Sequence, residues 1–300
     1  MQSELRQFGK GMAFLSPWLI GFIVFTLIPI GLSFYFSLCK FDMLQPPRYI
    51  AAHNYTDLLH DKTFWQATSN TFYYTAMALP AGLLVSLGLA MLLNVEIPGR
   101  AIWRTIIFMP SLVPIVASAM VWMWMLNPRL GLFNLLLGRL NDILPAKLNF
   151  PLPPWLGDPQ WAMPTLALMS LWGVGNAVVI YLAGLQDVPV ELYEAAELDG
   201  AGLLGRMRHV TIPMLSPVIF FNLIMAIIGA LQIFDIPYIM TNGGPVHKTY
   251  FLSMYLYDNA FVYLQMGYAS AMAWIMLVIV LVLTGVAFWT SSRWVHYQGK

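Results

Sequence analysis

Charge is what this sequence has least of. Only 10% of its 300 residues are charged, against roughly a quarter in a soluble globular domain, while 59% are hydrophobic and the mean hydropathy is +0.69. That deficit excludes a water-soluble fold and marks a membrane protein. The net charge of +1 leaves no basic excess to neutralise a phosphate backbone, which excludes nucleic acid as a main partner. Cys39 is the single cysteine, so no internal disulfide can form, and no Cys/His spacing resembles a zinc or redox site. The five histidines, His53, His60, His209, His247 and His296, all fall outside the apolar runs, and no H-E-x-x-H occurs. A membrane enzyme would therefore lack its acid–base or metal chemistry. Also missing is a G-x-x-x-x-G-K-[ST] phosphate loop, so this chain cannot cradle ATP and is expected to bind no cofactor.

What is present is a set of six stretches almost free of charge, at 17–38, 71–95, 105–127, 161–186, 213–240 and 267–290. An ionised group at the bilayer centre costs about 2.5 to 3.5 kcal/mol on insertion scales, so these gaps locate the membrane. At about 1.5 Å rise per residue each stretch can cross a hydrocarbon core of about 30 Å with some tilt. Asp235 is the one charge inside them. An all-α polytopic fold with six transmembrane helices follows. The first run follows Arg6 and Lys10 but carries Pro17 and Pro29 and ends without an A-x-A-like site, so it is read as a span and not a signal peptide. Six spans place both termini on one side. Segments 1–16, 96–104, 187–212 and 291–300 hold eight Lys/Arg in 61 residues, against seven in the 91 residues on the other side, which points to cytoplasmic termini. Pro80, Pro110, Pro114 and Pro164, with Gly82, Gly88, Gly173, Gly175 and Gly184, predict bent, closely crossing helices. Residues 145–161, with five prolines and two tryptophans, read as an extended segment at the interface.

The loop 187–212 differs from the rest. It holds five of the fourteen acids: Asp187, Glu191, Glu194, Glu197 and Asp199. Asp187 is expected to cap a helix N-terminus, Pro189 to occupy its first turn, and Asp199-Gly200 to stop it with a left-handed residue. Residues 203–209 then start a second short helix ahead of Pro213. Leu192, Ala195 and Ala196 share one face of the first helix beside the Glu191, Glu194 and Glu197 stripe, a pattern suited to a partner's groove or to a solvated loop helix.

Glu194-Ala195-Ala196-x-x-Asp199-Gly200-Ala201, followed by Val210-x-Ile212-Pro213, resembles the EAA signature of permease subunits of binding-protein-dependent ABC importers. Met207 stands where that signature usually has an aromatic residue, and Ile212 where it has Leu. Arg104-x3-Phe108-x-Pro110-x3-Pro114-x7-Trp122, Trp155-Leu156-Gly157-Asp158-Pro159 and Thr241-Asn242-Gly243-Gly244-Pro245 resemble the carbohydrate-uptake branch of the same family, of maltose and glycerol-phosphate type.

The resemblance implies a type I importer permease in the bacterial inner membrane, forming half of a translocation pathway. It implies a second, homologous permease subunit, two cytoplasmic ATPase subunits that hold ATP and Mg, an extracytoplasmic solute-binding protein and a sugar-like substrate. Glu194, Ala195, Ala196, Asp199 and Gly200 would then form the coupling helix and its turn, and the push on 203–212 would reach the fifth span. The substrate path needs polar groups at membrane depth, which are expensive unless they face a cavity or partner. Trp172 and Asn176 on the fourth span and Gln232 and Asp235 on the fifth are the candidates, the two spans that supply sugar contacts in the resembling maltose-type importers. Interhelical hydrogen bonding or simple packing would account for the same residues. A stand-alone carrier or channel would share the six bent spans but has no use for the EAA loop.

Overall fold

The structure is a computed structural model and describes residues 2–96, 98–145 and 150–296. Part of the proline-rich 145–161 segment, at 146–149, and the end of the expected C-terminal segment, at 297–300, lie outside the described residues. The chain divides into two compact units. One comprises residues 1–64 and 255–278, the other 65–254 and 279–300.

In the first unit the apolar run Phe14–Ser37 is one continuous helix with a π-helical turn at Ile23–Leu27. No residue of its most apolar stretch is buried. Such a surface is untenable in water and natural in lipid, where the helix satisfies its own backbone. At its end one side chain collects two carbonyls, one of the helix and one beyond it: the Asn54 amide donates to Ser37 O at 2.8 Å and Cys39 O at 2.9 Å. A two-residue antiparallel ribbon, Cys39–Lys40 with Arg48–Tyr49, follows. Asp61 ties this region to the later chain, because the hydroxyls of Tyr255 and Tyr268 donate to its Oδ2 at 2.5 and 2.7 Å while Thr63 N–H donates to Oδ1. Burial acts to raise the Asp61 pKa, but these donors favour the anion and hold the carboxyl below its usual range. Burial and the neighbouring carboxylate push the Tyr255 phenol up to about 12, so it remains a donor. Gly267 packs its α-carbon against the Cys39 carbonyl, where a β-carbon would collide.

The second unit contains the helices that shape the candidate site. Lys62–Asn94 carries Thr71, Thr75 and Ser86, each returning its hydroxyl to a carbonyl one turn back and so entering the apolar interior without an unmet donor. The expected third span is two pieces. Arg100–Leu112 and Ile115–Met125 meet at 98°, far beyond an ordinary kink. Val113 precedes Pro114 and adopts ψ 130°, the extended conformation a following proline imposes. The fourth span bends by 49° between Ala162–Gly173 and Gly175–Gln186. Gly175 lies so close to the third span that an added β-carbon would stand 2.7 Å from Ser111 Oγ and 3.1 Å from the Ile107 carbonyl. The expected fifth span lies within Leu203–Met240, and the expected sixth within Met266–Ser291, of which residues 279–291 belong to this unit. Among the described residues, four helices are thus long and apolar enough to span a bilayer, and up to six if each bent pair counts as one span. Three packed cores among the described residues hold the second unit's helices together. One joins Ala90, Leu93, Tyr181, Leu185 and Leu215; another joins Tyr74, Trp122, Leu166, Met240 and Phe251; the third joins Phe220, Ile227, Leu231, Val280 and Ala287.

Candidate functional site

The loop 187–212 folds as two short helices at a tight turn. Val190–Leu198 forms the first, with Pro189 in the capping position and not within the first turn. Asp187 makes no capping bond here; it closes the preceding helix, its N–H donating to Ala183 O. Asp199 ends the first helix, and Gly200 follows at φ +78°. Gly200 N–H then donates to Glu197 O at 3.0 Å and Ala201 N–H to Ala196 O at 2.9 Å, the paired bonds of a Schellman stop. The second helix, Leu203–Arg206, continues through a π-helical turn at Met207–Thr211 into Ile212–Leu231 without interruption. Arg206 pairs with Glu197 at 3.3 Å and the Tyr193 hydroxyl meets Thr211 Oγ1 at 3.1 Å, fastening the two helices to each other.

Tyr193 and Val188 anchor the loop on the core that joins Tyr181, Leu185 and Leu215. The opposite side is bare: Leu198 is 90% exposed, Leu203 79% and Leu204 76%. Glu194 and Ala195 are exposed beside them, and Ala196 is half-buried. Three leucines projecting from a braced elbow next to small residues form an apolar contact surface bordered by acids.

The other arrangement is a cavity of about 620 Å³ lined mainly from three segments. Tyr74 and Ser86 face it from Lys62–Asn94, Ser170 and Asn176 from the bent fourth segment, and Asn222, Gln232 and Asp235 from the fifth. Its size falls in the range of small-molecule sites, about 300 to 1,000 Å³. Asn176, Gln232 and Asp235 are exposed to it, and their positions follow from backbone breaks. Asn176 is the second residue of the helix after the 49° bend; Gln232 terminates Ile212–Leu231, and Asp235 opens the next short helix, Asp235–Met240. The unwound turn between them is held by Ser253, whose hydroxyl donates to Ile233 O. Trp172 does not line this cavity. It is half-exposed and packs edge-to-face on Trp122 at 5.8 Å. Three of the four expected path residues therefore share one space, and the fourth belongs to an aromatic contact.

Several structural residues were not singled out by sequence reasoning. Asn134 donates to Pro128 O and Pro153 O and accepts from Trp155 Nε1 at 2.8 Å, joining the Trp155-Leu156-Gly157 motif to the helix Leu132–Ile143. Asn70 donates to His247 O and Tyr250 O and clamps the Thr241–Gly244 turn's far side. An amide in a polar loop carries no signal by itself; both are recognisable only once the distant carbonyls are brought near.

Residues 78–296 match the family of binding-protein-dependent transport system inner membrane components. The chain belongs to this family. It is similar to the probable ABC transporter permease protein YesP of Bacillus subtilis, 41% identical over 97% of this chain and 93% of that one. It is also similar to the trehalose/maltose transport system permease protein MalF of Thermococcus litoralis, 33% identical over 94% of this chain and 92% of the relative. In fold it matches a chain of a bacterial ABC transporter involved in import of the acidic polysaccharide alginate, with a TM-score of 0.82 at 23% identity, over 97% and 98% of the two chains. The chain is a type I importer permease subunit, a membrane transport component and not an enzyme. This membership sets aside the stand-alone carrier or channel that the span pattern alone would allow.

Proposed function

We propose that this permease forms half of the pathway of an ATP-driven importer for a sugar or related polar solute, received from an extracytoplasmic binding protein. The named cargoes of its relatives, trehalose and maltose among them, support the carbohydrate reading. A second, homologous permease supplies the other half, and ATP and Mg reside on two ATPase subunits. Six spans, at 17–38, 71–95, 105–127, 161–186, 213–240 and 267–290, carry the chain across the inner membrane. Residues 1–16, 187–212 and 291–300 lie in the cytoplasm, where cations are more frequent.

One observation supports this mechanism above the rest: the braced elbow with its bare leucines is the direct beginning of the helix whose far end carries Gln232. Glu194, Ala195 and Ala196 seat against the ATPase, and Asp199 and Gly200 keep the elbow's angle, so closure of the ATPases is delivered to the cavity through a rigid element. Asn176, Gln232 and Asp235 offer amide and carboxylate partners to a hydroxyl-rich cargo among apolar walls that suit its C–H faces. Trp172 contributes by bracing Trp122. Leu198 is suited to the test because its exposure leaves this chain's own packing indifferent to its identity. Leu198→Asp should leave the permease in the membrane and abolish co-purification of the ATPase. An ATPase retained undiminished, or never found with the unaltered chain, would refute the docking scheme.

A further inference from the structure

The fold does not fix the charge of the cargo, since a solved neighbour of this fold serves an acidic polysaccharide. The lining of this cavity gives this chain's half of the path a charge of its own. Asp235 is the only charged residue among the described residues that line it, with no Lys, Arg or His. The remaining polar groups are hydroxyls and amides, and the walls are otherwise apolar, with Leu83, Ile180 and Met225 among them. A phosphate, sulfonate or carboxylate entering such a space loses water without gaining a cation from this chain, and meets a carboxylate. Hydroxyls, by contrast, find both donors and acceptors in Asn176, Gln232 and Ser170.

We infer that the cavity admits neutral or cationic saccharides and rejects anionic ones, with Asp235 as the residue that sets this selectivity. The inference rests on the reading of the cavity as the cargo path. It removes sugar phosphates, glycerol phosphates and uronates from the field, and leaves neutral and amino sugars.

Thiol chemistry tests this without knowing the cargo. Gly229 lines the cavity, and no atom lies within 4 Å of the place its β-carbon would take, so Gly229→Cys puts a thiol in open space. The native Cys39 is buried and is removed as Cys39→Ser. Cationic, neutral and anionic methanethiosulfonates are then applied to the assembled importer in membrane vesicles, and each rate is normalised to that of a free thiol in solution. Gly229 and Asp235, six positions apart on either side of the unwound turn, line the same cavity, so the charge acts on a reagent that enters it to reach the thiol. The cationic reagent should exceed the anionic one by about tenfold or more, and Asp235→Asn should erase the difference. Equal rates, or a faster anionic reagent, would overturn the charge selectivity and leave the path reading intact. A thiol that reacts with no reagent in the folded importer, yet labels fully after denaturation, would overturn the path reading and this inference with it.

Discussion

The residue whose replacement speaks most directly to coupling is Gly200. It sits at φ +78°, and no atom lies within 4 Å of the place a β-carbon would take. A new side chain there strikes nothing in this chain, so its whole effect arises from the backbone. An ordinary residue held in the left-handed region costs about 1–2 kcal/mol, and a β-branched residue more. Escape from that region instead forfeits the bonds from Gly200 N–H to Glu197 O and from Ala201 N–H to Ala196 O, each worth about 0.5–1.5 kcal/mol. At about 1.4 kcal/mol per tenfold, a 2 kcal/mol penalty depopulates the elbow's present shape roughly thirtyfold. Asparagine tolerates the left-handed region and carries little of this cost. In proteoliposomes holding the complete importer, Gly200→Val should reach normal membrane abundance and continue to support ATP hydrolysis while uptake falls by an order of magnitude. Gly200→Asn should retain most of the uptake, with Gly200→Ala in between. Unimpaired uptake by the valine variant, or an asparagine variant as damaged as valine, would refute the reasoning.

Gly175 and Gly82 form a matched pair. Gly175→Ala would press its methyl on Ser111 and on the backbone at Ile107 and Phe108, and is expected to destabilise by about 1–3 kcal/mol, whereas Gly82→Ala, with open space, should not. Thermal unfolding in detergent separates the two, and equal melting temperatures would show the close crossing to be unimportant. The Asp61 carboxyl is lower in the folded state than in the unfolded chain, so its contribution is present above about pH 4 and is lost as the pH falls through the folded value. Stability measured between pH 7 and pH 3 should therefore fall more steeply in the parent protein than in Asp61→Asn, and parallel curves would count against the tyrosine pin.

The long apolar helices could be located in the sequence because a charge in lipid is costly enough to leave gaps of the right length. The interior of those spans was harder. Pro110 and Pro114 signalled bending, but nothing local distinguishes a modest kink from the 98° break they produce, because the freed backbone groups must find partners elsewhere. Within the loop 187–212, Asp199-Gly200 announced the helix stop through a backbone preference that depends on no distant residue. The capping expected of Asp187 failed for the opposite reason: the preceding helix extends to Gln186 and claims it. Polar residues at membrane depth pointed to Asn176, Gln232 and Asp235, which do share a cavity, whereas Trp172 could not be told from a packing residue before Trp122 was found beside it. The Asp61, Tyr255 and Tyr268 cluster joins side chains 194 and 207 positions apart and leaves no pattern in the sequence.

From Leu203 to Gln232 the backbone is one uninterrupted rod of about 44 Å, while the hydrocarbon layer it crosses is only about 30 Å thick. Roughly three turns must therefore protrude beyond the lipid, which gives the protruding portion a mechanical advantage that a span trimmed to bilayer thickness would lack. Rocked by about 10° around its midpoint, such a rod carries each end through about 4 Å, comparable to the width of a sugar ring's passage between opposed side chains. In the proposed docking scheme, small rotations of an attached ATPase would in this way be magnified into openings of molecular size, with no residue in the rod needing to change its own conformation.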